Sequence, residues 1–291
     1  MITFFRYSGT KANPLYIDKI NEFVNSCTNE IYVEPFVGSG GIFFNLEKSF
    51  QHYILSDLDS NIIRIYKSFK EMKSYSQYIE IYTEVFNKFG TLLIDNRYCD
   101  QKQAEELKRS YYEFRAWFNQ NYWKTDTFEE GVYLHLLTNS CLNSFLRFGP
   151  NGMNQSYGLR CYLLSQTNFN VINSKLQKCD LICSDYQSII NDNPTALFFL
   201  DPPYQSQDSS YTPFDENDLK EFIKKIKPIE FIYTDILNNI NSTLKHKLYL
   251  RNINSTSPNR KETETKNEEF LFTYKEFPKN GLLSFIEDNE I

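Results

Sequence analysis

The 291-residue sequence has no run of about 18 apolar residues, so no membrane span is expected. Its first residues, MITFFRYSGTK, lack an apolar segment behind a basic start, and no export signal is read there. The six cysteines are scattered. The one close pair, Cys179 and Cys183, has no second pair or nearby histidine to complete zinc spacing. They are expected as reduced, partly buried thiols of an intracellular, cytoplasmic protein. The three histidines, His52, His135 and His246, lie far apart and suggest neither a metal site nor a histidine-based triad. A basic excess is missing too: 31 Lys and Arg stand against 37 Asp and Glu, a net charge of −6. That balance alone argues against an extended nucleic-acid surface, which needs clustered cations.

What is present can build a core. Hydrophobic residues make up 41% and aromatics 16%, mostly Phe and Tyr, enough for one α/β domain with an insertion or for two small domains. EIYVEPFVGSGGIFFNL reads as a strand (Ile31 to Glu34), a glycine turn and a helix. HYILSDLDSNIIRIYKSF reads as a second strand (Tyr53 to Leu55) and a helix from near Ser60, capped by Asp59 or Ser60. Ile62, Ile63, Tyr66 and Phe69 give that helix an apolar face. From Glu71 to about Tyr133 the pattern is helical. KCDLICSDY and ALFFLDPPY hold a third strand and a fully buried fourth. A helix follows in FDENDLKEFIKKI, with Asp215 at its N-cap. EFIYTD, LYLRNI and EEFLFTYK complete seven strands. Strands alternating with helices imply a largely parallel sheet. The interruption reads as a helical insertion between roughly residues 70 and 165, with two independent domains as the alternative.

Two segments carry chemistry. In EPFVGSGG, Gly38 and Gly40 allow a tight turn and a close backbone approach to a ligand. The turn itself has no Lys-Ser/Thr pair, so this is not a phosphate-cradling loop. Asp57 lies nineteen residues beyond Gly38, where a strand-end carboxylate can accept both hydroxyls of a ribose, while Asp59 is placed to cap the next helix. A nucleoside bearing a carboxylate in place of phosphates, such as S-adenosylmethionine, would fit. The second segment is Asp201-Pro202-Pro203-Tyr204, which ends the buried fourth strand. Proline locks φ and pushes the preceding residue towards extended geometry. The Asp201 carboxylate and the Pro202 carbonyl could then accept both N–H groups of an exocyclic amine, exposing its lone pair to an electrophile. Tyr204 could stack on the base that carries the amine. The alternative is a strand-ending turn with a capping acid.

Taken in order, these segments resemble the Dam-like family of DNA adenine-N6 methyltransferases, which use S-adenosylmethionine, and the likeness covers most of the chain. RYSGTK looks like the family's N-terminal cofactor segment and implies roles for Tyr7 and Lys11. VEPFVGSG resembles its cofactor loop and implies Glu34, Pro35, Phe36, Gly38 and Gly40. LSDLDSNIIRIY implies Asp57 on the ribose, and CSDY implies Asp185 and Tyr186 on the cofactor's adenine. DPPY is the catalytic motif, with Asp201 also facing the cofactor. NSFLRFGPNGMNQSYG is similar to the family's DNA-facing segment and hairpin, implying Asn143, Arg147 and Asn151, with Arg160 just beyond. NEEFLFTYK is similar to the family's closing segment. The chain departs from the pattern at Thr10, at Ser144 in place of Gly, and at YTDI (Tyr233 to Ile236).

The resemblance implies a Rossmann-like methyltransferase sheet with an inserted helical target-recognition domain and a β-hairpin. Residues 1–69 and 166–291 would form the catalytic domain and 70–165 the insertion. It implies transfer to N6 of adenine in duplex DNA after base flipping, with no metal. A cognate restriction endonuclease stays open as a partner, and no oligomeric state is implied. An RNA adenine or a cytosine-N4 acceptor, or a catalytically silent DNA-binding subunit, are the alternatives. Between residues 101 and 165 seven basic residues meet six acids, so no basic stripe is visible. The aromatics of SYYEFRAWFNQNYW are spaced as core residues. Arg260 and Lys261, in SPNRKETETK, mark either a second DNA-contacting loop or an ordinary exposed one.

Overall fold

All seven strands read from the sequence form, and a short hairpin adds two more. The computed structural model describes residues 1–7, 10–90, 100–158, 162–202, 218–219, 221–222, 230–236, 246–253 and 267–273. In chain order the strands are β1 (Ile31–Glu34), β2 (His52–Asp57), β3 (Phe148–Gly149), β4 (Gly152–Met153), β5 (Cys179–Cys183), β6 (Leu197–Leu200), β7 (Glu230–Ile236), β8 (His246–Ile253) and β9 (Asn267–Thr273). The helices are α1 (Pro14–Ser26), α2 (Ser60–Glu71), α3 (Tyr75–Phe89), α4 (Gln101–Asn121), α5 (Phe128–Ser140), α6 (Gln166–Leu176) and α7 (Tyr186–Asp192). No helix among the described residues is long and apolar enough to cross a membrane. The helix expected from Asp215 lies mostly outside the described residues.

The chain divides into two compact units. The first comprises Met1–Ala12, Gly38–Asn45 and Asp59–Cys183, and the second Asn13–Val37, Leu46–Leu58 and Ser184–Ile291. In the second, β1 pairs in parallel with both β2 and β6, and β6 pairs in parallel with β7. β9 then runs antiparallel to β7, and β8 antiparallel to β9. The order is β2-β1-β6-β7-β9-β8. All four residues of β6 are buried, which is why Leu-Phe-Phe-Leu shows no polar alternation: a central parallel strand is covered on both faces.

The first unit is helical and aromatic. Asp59 caps α2 by accepting the backbone N–H of Asn61 at 2.9 Å, and Ile62, Ile63, Tyr66 and Phe69 are buried. Phe4 meets Phe5, Phe44, Tyr66 and Phe69 edge-on at 4.8–5.4 Å. Tyr111, Phe114 and Phe118 of α4 are buried, so its aromatics pack as their spacing predicts. The helical stretch after Glu71 is broken where Ser74, Asp100 and Thr127 each accept a backbone N–H and start a new helix.

One expectation fails. The residues after the glycine turn form only a 3-10 turn, Phe43–Asn45, not a helix. The Asn45 side chain turns back, donating to Gly41 O at 2.9 Å and to Ile2 O at 2.8 Å, and so closes the segment before a second turn can form.

Candidate active site

Parallel strands bring their carboxyl ends to one edge of a sheet, where α/β proteins bind ligands. In the second unit that edge gathers Glu34 at the end of β1, Asp57 at the end of β2 and Asp201 just after β6. Glu34 is only 2% exposed, and its Oε1 accepts the Tyr32 hydroxyl at 2.7 Å. Burial and the Glu34 carboxylate raise the Tyr32 pKa well above the usual phenol range, so Tyr32 stays a donor. Val37 N–H donates to Ser56 O at 2.9 Å, tying the entry of the glycine turn to β2 one residue before Asp57. Pro35 is buried and Phe36 half-buried.

The Phe36 ring lies 5.4 Å from that of Tyr186, tilted by 30°, so two residues implied from distant segments come together. The Tyr186 hydroxyl donates to Asp218 Oδ2 at 2.9 Å. Partial burial, aided by that carboxylate, pushes its pKa up to about 12. Asp185, which caps α7, accepts Ser188 N–H at 3.0 Å and Ser188 Oγ–H at 2.8 Å. Those bonds hold its carboxyl below the usual carboxylate range.

Asp201 is half-buried and Pro202 buried. The Thr234 hydroxyl, 0% exposed on the neighbouring β7, donates to Asp201 Oδ1. Thr234 belongs to the YTDI departure, whose role was not legible in the sequence. Its hydroxyl holds the Asp201 carboxylate in place. Tyr204 lies outside the described residues.

The first unit carries Tyr7, Lys11, Gly38, Gly40, Asn143, Arg147 and Asn151. Gly38 and Gly40 have φ of +48° and +67°, as the turn requires. A Cβ on Gly40 would lie 2.5 Å from Tyr66 Oη, and one on Gly38 would lie 3.3 Å from the Tyr7 ring. A side chain at Gly40 would therefore meet Tyr66, and one at Gly38 would meet Tyr7. Thr10, a departure from the family pattern, accepts Ser39 Oγ–H at 3.1 Å and Ala12 N–H at 3.3 Å, so its hydroxyl fastens the N-terminal segment to the glycine turn. Lys11 is buried.

Asn143 and Asn151 are exposed, as is Arg147, whose Nε donates to Asn154 Oδ1 at 2.8 Å. Asn143 and Ser144 both have left-handed backbones, with φ of +57° and +53°, a region that favours glycine. The implied DNA residues Arg160, Arg260 and Lys261 lie outside the described residues. Glu130, counted among the six acids, is 0% exposed. It accepts Lys124 N–H at 2.6 Å and Asp126 N–H at 2.7 Å, and pairs with Arg64 at 3.2 Å. Its charge is thus withdrawn from the surface balance.

Acids at the carboxyl edge of parallel strands, an aromatic pair beside them and an aspartate oriented by the next strand define a Rossmann-like α/β protein of the methyltransferase type. The family model for D12 class N6 adenine-specific DNA methyltransferases matches residues 7–266, and the chain belongs to that family. It is similar to the type II methyltransferase M.MjaIII of Methanocaldococcus jannaschii, with 26% identity over 67% of this chain and 69% of the relative. It is also similar to the DNA adenine methylases of Haemophilus influenzae (24% identity; 80% and 78% covered) and Escherichia coli K12 (26%; 74% and 69%). The chain is accordingly a DNA adenine-N6 methyltransferase. Membership implies S-adenosylmethionine as the general methyl donor and DNA as the substrate.

Proposed function

We propose that the enzyme methylates N6 of adenine at a specific site in duplex DNA, after flipping the base out of the helix. The observation that carries this reading is the Asp201 carboxylate, oriented by the buried Thr234 hydroxyl and followed by a buried proline. The donor set suits S-adenosylmethionine: carboxylates at strand ends for ribose hydroxyls, and the Phe36–Tyr186 rings for a purine face. When bound, that cofactor supplies a methyl carbon on a positively charged sulfur. Asp57 takes the ribose. Glu34, Pro35, Phe36, Asp185 and Tyr186 line the adenosine, and Tyr7, Lys11, Gly38 and Gly40 complete cofactor binding. Asp201 and the Pro202 carbonyl accept the two N–H groups of the adenine amine, which frees its lone pair for attack. Tyr204 stacks on the flipped base. Most of the rate gain then comes from positioning.

Residues 70–165 serve as the target-recognition insertion, with Asn143, Arg147, Asn151 and Arg160 towards DNA; residues 1–69 and 166–291 serve catalysis. Arg260 and Lys261 add a second DNA contact, and a cognate restriction endonuclease is a proposed partner. Sequencing DNA from cells that express the enzyme should reveal methylated adenines in one short motif. Transfer of tritiated methyl should favour duplex DNA over single-stranded DNA and RNA. Asp201→Ala should remain folded and lose transfer by about a thousandfold or more. Wild-type activity in that variant, or a preference for RNA, would overturn the reading.

A further inference from the structure

Hairpin β3–β4 is too small to hold itself. Its ladder has two residue pairs, Phe148↔Met153 and Gly149↔Gly152, whereas even longer isolated hairpins are marginal in water. Something else must fix it, and its two faces differ sharply. Arg147 and Asn154 share the outer face and are exposed; Asn154 N–H donates to Arg147 O at 3.0 Å, beside the side-chain bond already described.

The inner face is clasped from α4. Asn119 Nδ2 donates to Met153 O at 2.9 Å, and Asn119 Oδ1 accepts Met153 N–H at 2.9 Å. One carboxamide thereby pairs with the edge of β4 as another strand would. Met153 is 1% exposed, so this pairing is shielded from water. Gly152 shows how close the clasp is. Its φ is +102°, and a Cβ there would lie 2.5 Å from Asn119 Oδ1, so both the backbone and the approach require glycine. Tyr111 Oη donates to Gln155 O at 2.9 Å, and the Trp123 ring lies 6.3 Å from Phe148 at an interplanar angle of 13°.

We propose that Asn119 is a positioning residue for sequence selectivity: without touching DNA, it fixes β4, and through Asn154 the orientation in which Arg147 is presented. The inference rests on the reading of Arg147 as a DNA contact. A guanidinium distinguishes bases through two parallel N–H bonds in a fixed plane, so a small tilt costs selectivity before it costs attachment to the backbone phosphates.

The test uses full-length enzyme and two duplexes: one carrying the motif found by methylated-adenine sequencing, the other changed at one base pair beside the adenine. Asn119→Ala should raise KM and reduce discrimination between the duplexes about tenfold, within the range one bidentate base contact supplies. Its kcat on saturating target should stay within about twofold, since positioning residues act through KM and selectivity. Asn119→Ser is too short to make both bonds but leaves a hydroxyl for one of them, so it should fall between the wild type and Asn119→Ala. Unchanged discrimination in Asn119→Ala overturns the proposal, as does an equal fall in kcat on both duplexes, which would mark general damage. Where Asn119→Ala does not fold, Asn119→Ser decides by the same outcomes. Absence of transfer by the wild-type enzyme would overturn the functional reading and this inference together; normal wild-type transfer with unchanged variant selectivity overturns this inference alone.

Discussion

Asp201 and Arg147 are held in place by different means. Asp201 follows β6, which is laddered to β1 on one side and β7 on the other, and the hydroxyl that orients it comes from the adjacent strand. Arg147 precedes a strand of two residues and depends on individual side chains: Asn154 directly, and Asn119, Tyr111 and Trp123 behind it. A ladder spreads positioning over many backbone bonds, so losing one side chain moves it little. A clasp of side chains concentrates positioning in a few atoms. The main chain at Asp201 should therefore tolerate change around it better than the hairpin does, while the Asp201 carboxylate still depends on the Thr234 hydroxyl.

The helical unit can be loosened most by acid. His135 is 0% exposed, its ring 4.6 Å from that of Phe69, with Nε2 3.1 Å from Phe4 O and 3.2 Å from Asn139 Nδ2. Burial lowers its pKa to about 4. Below pH 6.5 the unfolded chain binds a proton that the folded chain refuses until about pH 4, so stability is lost across that window and the loss levels off below it. The shift corresponds to roughly 3 kcal/mol. Urea unfolding at pH 7 and pH 4.5 should show most of this fall, and His135→Phe should flatten it. Equal slopes in both proteins would remove His135 as the cause.

At the strand-end site, Thr234→Val deletes the hydroxyl that orients Asp201 while keeping the shape. A hydrogen bond to a charged group is worth about 1.5–3 kcal/mol, so kcat should fall by about tenfold or more. Thr234→Ser should recover most of the rate. Full activity in the valine variant would show that the ladder alone suffices. The smallest effect is expected beside the hairpin. Ser144 holds a φ of +53°, and Ser144→Gly should relieve that strain against the added chain entropy of glycine, stabilising the fold by roughly 0.5–1 kcal/mol. An unchanged or lower urea midpoint would contradict it.

Much of the fold was legible in the sequence. LFFL was expected as a fully buried strand and is one, and β2 extends the expected Tyr53–Leu55 by a few residues at its ends. Asp59 was recognisable as a cap because short acids before an apolar helical period do that work locally. The failed helix after Gly41 shows the limit: the Asn45 amide competes for the backbone there. Thr234 and Asn119 were hidden for a different reason. Their partners lie 33 and 34 positions away in the chain, and no local pattern marks such a pair.

The order of strands and helices, the glycine turn and the Asp-Pro-Pro-Tyr motif follow from the sequence alone, because periodicity, φ limits and capping act within a few residues. The tertiary structure decided which hydroxyl steadies the aspartate, that Glu130 is buried against Arg64, and that a carboxamide on α4 serves as the missing edge of a two-residue hairpin. Those arrangements depend on distances closed only when remote segments pack, and burial then gives a single polar atom a strength it would not have in water.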